Sequence, residues 1–194
     1  MNLIFASNNK GKIIEVQTLI SESITVVSLL DAGITEPIEE PFDTFRENAW
    51  AKADYVYRKT GLPCFADDSG LVVPALDGAP GVYSARYAGE SANDAANNHK
   101  LLQAIAGIDR PGAYYQAVIC YIDKNGDTHY FDGRCQGYLI HTPRGKGGFG
   151  YDPLFVPDGH TGTFAELSQD IKNEISHRGA AMRSFIAFLD QTES

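Results

Sequence analysis

Residues 114–122, YYQAVICYI, carry the strongest strand signal in the chain, and Asn125-Gly126 follow directly after it. Aromatic and β-branched side chains suit a pleated, packed surface. An Asn-Gly pair after such a run predicts a hairpin with a type I′ turn. The run is therefore expected to pair antiparallel with 128–134 (THYFDGR), with a further strand at 136–140. The beginning of the chain is ordered differently. NLIFA (2–6) reads as a strand, SNNKGK as a polar loop, and Ile13, Val16, Leu19 and Ile20 fall at helical spacing before a second strand at 24–30, ITVVSLL. Parallel-type β-α-β order followed by a hairpin meander predicts an α/β protein with a mixed sheet.

The remaining elements follow from caps and spacing. Thr44-Phe-Arg-Glu47 is a capping-box pattern that opens a helix, and Gly61 closes it. CFA (64–66) reads as a strand leading into the acidic doublet Asp67-Asp68. Ser91 and Asp94 open another helix, with Leu101, Leu102 and Ile105 on its apolar face; Met182, Phe185, Ile186 and Leu189 mark a C-terminal one. No repeat or linker divides the 194 residues, so 1–194 read as a single domain with room for two lobes.

Charge and cysteine content exclude several classes. A formal net charge of −9 disfavours a nucleic-acid polymer as partner, yet leaves open a small anion held by a few cations and backbone amides. Three cysteines without CxxC spacing (Cys64, Cys120, Cys135) suggest neither a disulfide framework nor a zinc site. Buried free thiols and a reducing cytoplasm are the expectation. The N-terminal apolar run is too short for a signal peptide, and no run approaches a membrane span.

Four stretches can carry chemistry. The strand–SNNKGK–helix unit presents helix N-terminal amides, with Lys10 and Lys12 adding charge and Ser7 and Asn9 adding hydrogen bonds, as an anion cradle would. It lacks the P-loop spacing, and an ordinary βα loop is the alternative. Asp67-Asp68-Ser69-Gly70 places carboxylates where magnesium and phosphate oxygens can meet; a solvated turn is the alternative. Glu39 and Glu40 offer further ligands. GKGGFGYDPLF (145–155) sets Phe149, Tyr151 and Asp152 among glycines that allow close backbone approach. Finally, Lys172, His177 and Arg178 gather near a helix start capped by Ser176, where an anion or a carbonyl oxygen is favoured.

Taken together, SNNKGK, FRENA (45–49), ADDSGL (66–71), GAPGVYSARYAG (78–89), GGFGYDP (147–153) and ISHRG (175–179) closely resemble the inosine/xanthosine triphosphate pyrophosphatase family, in order and over nearly the whole chain. The resemblance implies an elongated mixed β-sheet with flanking helices, two lobes around a central cleft, and a homodimer. It implies hydrolysis of non-standard purine nucleoside triphosphates (ITP, dITP, XTP) to the monophosphate and pyrophosphate, with Mg²⁺. By the same resemblance Ser7, Asn8, Asn9, Lys10, Gly11 and Lys12 hold the phosphates, with Lys52 reaching them from the FRENAWAK helix. Asp68 is proton acceptor and metal ligand, a glutamate of the 39–40 pair is the second ligand (Glu39, with Glu40 as the alternative), and Ser69 contacts substrate. Phe149, Gly150, Tyr151, Asp152, Lys172, His177 and Arg178 line the base pocket. A kinase or phosphomonoesterase, and a nucleotide sensor without turnover, are the rival readings.

Overall fold

The computed structural model describes residues 1–20, 24–91 and 93–192. Its strands are β1 (Asn2–Phe5), β2 (Thr25–Val27), β3 (Cys64–Val72), β4 (Gly112–Ile122), β5 (Thr128–Leu139) and β6 (Phe155–Pro157). Its helices are α1 (Lys10–Leu19), α2 (Phe45–Thr60), α3 (Asp94–Ala104), α4 (Gln169–Ile175) and α5 (His177–Thr192). The strands form one sheet in the order β2-β1-β3-β4-β5-β6. β1 runs parallel to β2 and to β3, and β5 and β6 are antiparallel, which makes this the mixed α/β sheet expected.

The chain divides into two compact units. The first comprises residues 1–68, 117–133 and those from Arg178 onward; the second comprises 69–116 and 134–177. Each has its own core. In the first, Leu3, Phe5 and Phe65 of the strands meet Val16 of α1 and Met182, Phe185 and Leu189 of α5. The Phe5 and Phe65 rings stack with centroids 4.7 Å apart. In the second, Leu71, Leu101, Ile105, Tyr115, Leu154, Phe155 and Phe164 pack together. Of the apolar residues assigned to helix faces, Val16, Leu101, Ile105, Met182, Phe185 and Leu189 are buried here, and Ile13, Leu19, Ile20, Leu102 and Ile186 lie partly buried at the margins of these cores. All three cysteines are buried and free.

Several boundaries differ from expectation, each for a local reason. β2 stops at Val27 because Ser28 Oγ accepts a hydrogen bond from the Asp31 amide (3.1 Å) and starts a turn. The segments 128–134 and 136–140 are one strand, β5, since no turn interrupts them. Gly137 instead serves close packing: a Cβ there would lie 2.2 Å from the Val156 carbonyl oxygen. The hairpin forms, but not with a type I′ turn, because only Asp77 and Arg110 among the described non-glycine residues have positive φ. Its turn begins one residue earlier than the Asn-Gly pair suggested. Asp123 Oδ1 accepts from the amides of Asn125 (2.8 Å) and Asp127 (3.0 Å), and Gly126 alone is left-handed at φ 88°. The helix after Ser91 is capped by Asn93, whose side chain accepts from the Ala96 amide. Thr44 and the left-handed Gly61 do bound α2 as the caps predict.

Candidate active site

The acidic doublet is not at a strand end. β3 runs on to Val72, so Asp67 and Asp68 lie inside a nine-residue strand, and both are buried. Alternation along a strand sends neighbouring side chains to opposite faces, and the two carboxylates accordingly have different partners. Asp67 accepts from Lys12 Nζ (3.0 Å) on α1 and from Arg178 Nε at the start of α5. Arg178 also donates to Glu15, again on α1, and all of Arg178, Asp67 and Glu15 are buried. Asp68 accepts from Lys52 Nζ (3.1 Å) on α2, and Lys52 is also paired with Glu40. Three cations and four carboxylates thus share the interior of the first unit.

Their environments push the two aspartates apart. Burial alone would raise Asp67, but Arg178 and Lys12 outweigh it and hold the carboxyl well below the usual carboxylate range. For Asp68 burial prevails, and Lys52 and Lys12 only partly offset it, so its proton affinity rises. Burial opposes the charge of Lys52, yet Asp68 and Glu40 reverse this and raise it. Lys12 goes the other way: burial lowers it, and Asp67 offsets that only in part. Adjacent carboxylates tuned in opposite directions are a recurrent mark of acid–base assignment.

The polar loop is shorter than expected, because α1 already begins at Lys10, with Asn9 as its N-cap accepting from the Lys12 amide (3.1 Å). Ser7 Oγ accepts from the Asn9 amide (3.2 Å). Lys10, Gly11 and Lys12 therefore form the first helical turn, where backbone amides and the helix dipole favour an anion. Asn8, Asn9 and Lys10 are exposed to receive one.

An oxygen-seeking divalent cation fits the Asp68 region. Asp68 Oδ2 is buried and has no hydrogen-bond partner among the described residues, while its Oδ1 is held by Lys52. Magnesium needs only one or two carboxylates besides phosphate and water oxygens. Among the described residues no cluster of three or more His, Cys, Asp or Glu side chains suited to a metal is found. Of the acidic pair in the preceding loop, Glu40 is the one linked through Lys52 to Asp68; Glu39 is exposed. Asn48, buried in the FRENA segment, holds part of that loop. Its amide exchanges hydrogen bonds with the Phe42 backbone at 2.9 Å each way, which fixes the loop carrying Glu40.

In the second unit the glycine-rich loop is held from several sides. Asp152 is buried, and its Oδ2 accepts from Lys172 Nζ (2.6 Å) on α4 and from the Phe149 amide (3.0 Å). Lys172 Nζ also lies 5.1 Å from the centroid of the half-buried Phe149 ring. Tyr151 is buried and donates to the Ser84 carbonyl (2.7 Å). Gly148 cannot carry a side chain, since its Cβ would fall 2.0 Å from Asp152 Oδ2. His177 stacks on Tyr115, with centroids 4.7 Å apart and planes inclined by 10°. Ser69 is half-buried on β3. Gly70, which looked like the start of a turn, is a strand residue at a close approach: its Cβ would be 2.3 Å from the Gly81 carbonyl oxygen and 2.4 Å from Ser84 Oγ.

The structure thus brings Lys12, Lys52, Asp68 and Arg178 together within the first unit. Phe149, Asp152 and Lys172 meet within the second. Glu15 and Asn48 escaped the sequence reading. For Glu15 a signal existed: it lies three residues after Lys12 on a helix, so the two share a face.

Comparison with known proteins agrees with this architecture. The Ham1 family model matches residues 3–188. A dITP/XTP pyrophosphatase from Porphyromonas gingivalis is 48% identical over 188 residues, covering 96% of each chain. One from Flavobacterium johnsoniae is 48% identical over 193 residues, covering 100% of each. Among solved structures, the Staphylococcus aureus Ham1 protein superposes with a TM-score of 0.89 at 37% identity, over 99% of this chain and 100% of that one. A HAM1 protein from Coxiella burnetii gives 0.89 at 40% identity, over 98% and 99%. With a family model spanning almost its full length and relatives matched from end to end, the chain belongs to the Ham1 family.

Proposed function

We propose that this protein hydrolyses non-standard purine nucleoside triphosphates, dITP, XTP and ITP, at the bond between the α- and β-phosphates. The products are the nucleoside monophosphate and pyrophosphate. Residues 1–194 act as a single catalytic domain. The observation that carries the reading is Asp68: a buried carboxylate of raised proton affinity, with one oxygen on Lys52 and the other without a hydrogen-bond partner among the described residues. The printed names of the relatives, dITP/XTP pyrophosphatases, support the substrate class.

In this reading Asp68 takes a proton at Oδ2 from the attacking water, for which its raised proton affinity suits it. Lys12 and Lys52, with the amides of the first turn of α1 and the side chains of Ser7, Asn8, Asn9 and Lys10, hold the triphosphate in line. Asp68 and Glu40, rather than Glu39, hold Mg²⁺, which when bound supplies charge neutralisation for the phosphate oxygens. Ser69 adds a hydrogen bond to substrate. Phe149 offers a stacking face, with Gly150, Tyr151, Asp152, Lys172 and His177 around the base. Hypoxanthine and xanthine present an acceptor, O6, where adenine presents an amino donor. A site of donors such as Lys172 would leave that amino group unpaired, at a cost of about 1–3 kcal/mol. Arg178 donates to Asp67 and Glu15, so any base contact would be made by a guanidinium that these carboxylates orient. A homodimer in the cytoplasm belongs to the same proposal; among the described residues no helix is long and apolar enough to cross a membrane.

A panel of nucleoside triphosphates with and without Mg²⁺, scored for product, tests the reading. Pyrophosphate released from inosine and xanthosine triphosphates, only with the metal, is expected. Orthophosphate or phosphate transfer would point to a phosphomonoesterase or kinase, and binding without turnover to a sensor.

A further inference from the structure

The glycine-rich loop that the proposed function assigns to the base owes part of its conformation to α3, a helix with no part in that assignment. Gly150 sits in the left-handed region at φ +61°. Both of its backbone polar groups are held by α3 side chains one helical turn apart. Its amide donates to Asp94 Oδ2 (2.7 Å), and its carbonyl accepts from Asn98 Nδ2 (2.7 Å). The Asn98 amide group also donates to the Asp94 carbonyl (2.8 Å), so its NH₂ faces two acceptors and its orientation is determined. Asn98 Oδ1 is buried without a hydrogen-bond partner among the described residues. That side chain is therefore oriented by its donors alone, and the contact with Gly150 is half of what orients it.

The same helix holds a second loop. Asn97, buried, accepts from the Ala88 amide (2.8 Å) and donates to the Ala85 carbonyl (3.0 Å). Lys100 Nζ donates to the Tyr87 carbonyl (2.6 Å). The first two turns of α3 thus form a polar bracket whose targets are backbone groups of two loops. Gly150 lies between Phe149 and Tyr151, and Phe149 is tied in turn to Asp152. Releasing Gly150 frees the residues on both sides of it, because a left-handed glycine with unsatisfied groups has many conformations open to it.

We propose that Asp94 and Asn98 are positioning residues that set base selectivity by clasping Gly150. Neither is asked to touch the substrate. The inference rests on the functional reading above in assigning the loop to the base. It goes beyond that reading in placing the control of selectivity on a helix outside the pocket.

The test uses the full chain as wild type and as Asp94→Ala, Asp94→Asn and Asn98→Ala. Each is measured for kcat and KM with inosine and adenosine triphosphates, for inhibition by pyrophosphate, and for hydrogen exchange at the Gly150 amide. Losing one hydrogen bond at a partly exposed site should lower kcat/KM for inosine triphosphate by roughly three- to tenfold, mainly through KM. The ratio of inosine to adenosine triphosphate should fall with it. Pyrophosphate inhibition should stay as in wild type, and exchange at Gly150 should accelerate in Asp94→Ala. Asp94→Asn, which keeps an acceptor oxygen, should recover most of both effects. Equal losses for the two nucleotides, or an unchanged ratio, in variants that melt like wild type would overturn the selectivity role. Unaltered Gly150 exchange in Asp94→Ala would overturn the clasp. If wild type releases no pyrophosphate from inosine triphosphate, the functional reading and the selectivity role fall together, and the exchange measurement still decides the clasp.

Discussion

Replacing Arg178 with methionine probes the buried charge network at its most connected point. Arg178 is 2% exposed, Asp67 1% and Glu15 5%. In the wild-type protein Lys12 and Arg178 balance Asp67 and Glu15. Arg178→Met leaves two carboxylates facing one lysine in an interior that water does not reach. Breaking a buried pair by removing one partner costs about 3–5 kcal/mol, most of it the penalty of the charge left behind. For a chain of this length that corresponds to a drop in Tm of roughly 6–20 °C. Urea denaturation followed by circular dichroism, with the metal chelated, gives the free energy directly. The reasoning makes a second, sharper demand. Adding Glu15→Leu to Arg178→Met removes one of the two carboxylates that lose the guanidinium and keeps the Lys12–Asp67 pair. The double variant should therefore be more stable than Arg178→Met alone, by at least 1 kcal/mol or so, rather than showing the sum of two losses. A cost below about 1 kcal/mol for Arg178→Met, or additive losses in the double variant, would refute the claim that compensation of buried charge holds this site together.

Three further outcomes follow from the same structure. Asp68→Asn should abolish turnover of inosine triphosphate with saturating Mg²⁺ while the protein stays folded; a fall in kcat of less than about tenfold, under ~1.4 kcal/mol of barrier, would remove Asp68 from the chemistry. Gly70→Ala should destabilise the second unit by roughly 1–3 kcal/mol in urea, because the new methyl group would have to displace the Gly81 carbonyl and Ser84 Oγ; a neutral substitution would show that this close approach relaxes freely. Burial pushes the Cys64, Cys120 and Cys135 thiols up to about 12, so below that pH they stay protonated and should resist alkylation in the native protein, reacting only on unfolding. Fast native labelling at pH 8 would contradict their burial.

The parts of the fold set by local chemistry were open to reading from the chain. Thr44 and Gly61 mark the ends of α2 because a hydroxyl cap and a left-handed glycine act on the nearest backbone groups. Ile13, Val16, Met182 and Phe185 reveal their helices because burial on one face imposes a 3.6-residue period. Where partners distant in sequence decide, the reading ran out. Gly70 looked like the start of a turn and Gly137 carried no signal of its role, yet each allows a remote carbonyl to come close. The end of β3 was drawn before Asp67 because two aspartates and a glycine are poor strand formers. What keeps them in the strand is the set of cations on α1, α2 and α5, and no local rule contains those. Nothing local in the sequence separates Glu40 from Glu39; the ion pair of Glu40 with Lys52 does so in the fold.

That same set of cations explains why a chain would place two aspartates side by side in a buried strand at all. Alternation of strand side chains lets two adjacent positions feed two different sets of partners. Asp67 faces Arg178 and Lys12, is fully compensated, and is held deprotonated well below the ordinary range. Its task is to seat Lys12 at the start of α1 and to tie α1 to α5. Asp68 accepts from Lys52, keeps one oxygen without a hydrogen-bond partner among the described residues, and gains proton affinity from burial. Were Asp68 compensated as Asp67 is, its oxygen would be committed and its basicity lost. Were Asp67 left like Asp68, two only partly compensated charges would be buried at adjacent positions, at a cost to the strand. The doublet is stable because its members differ, and the oxygen left over on Asp68 is where the chemistry is expected.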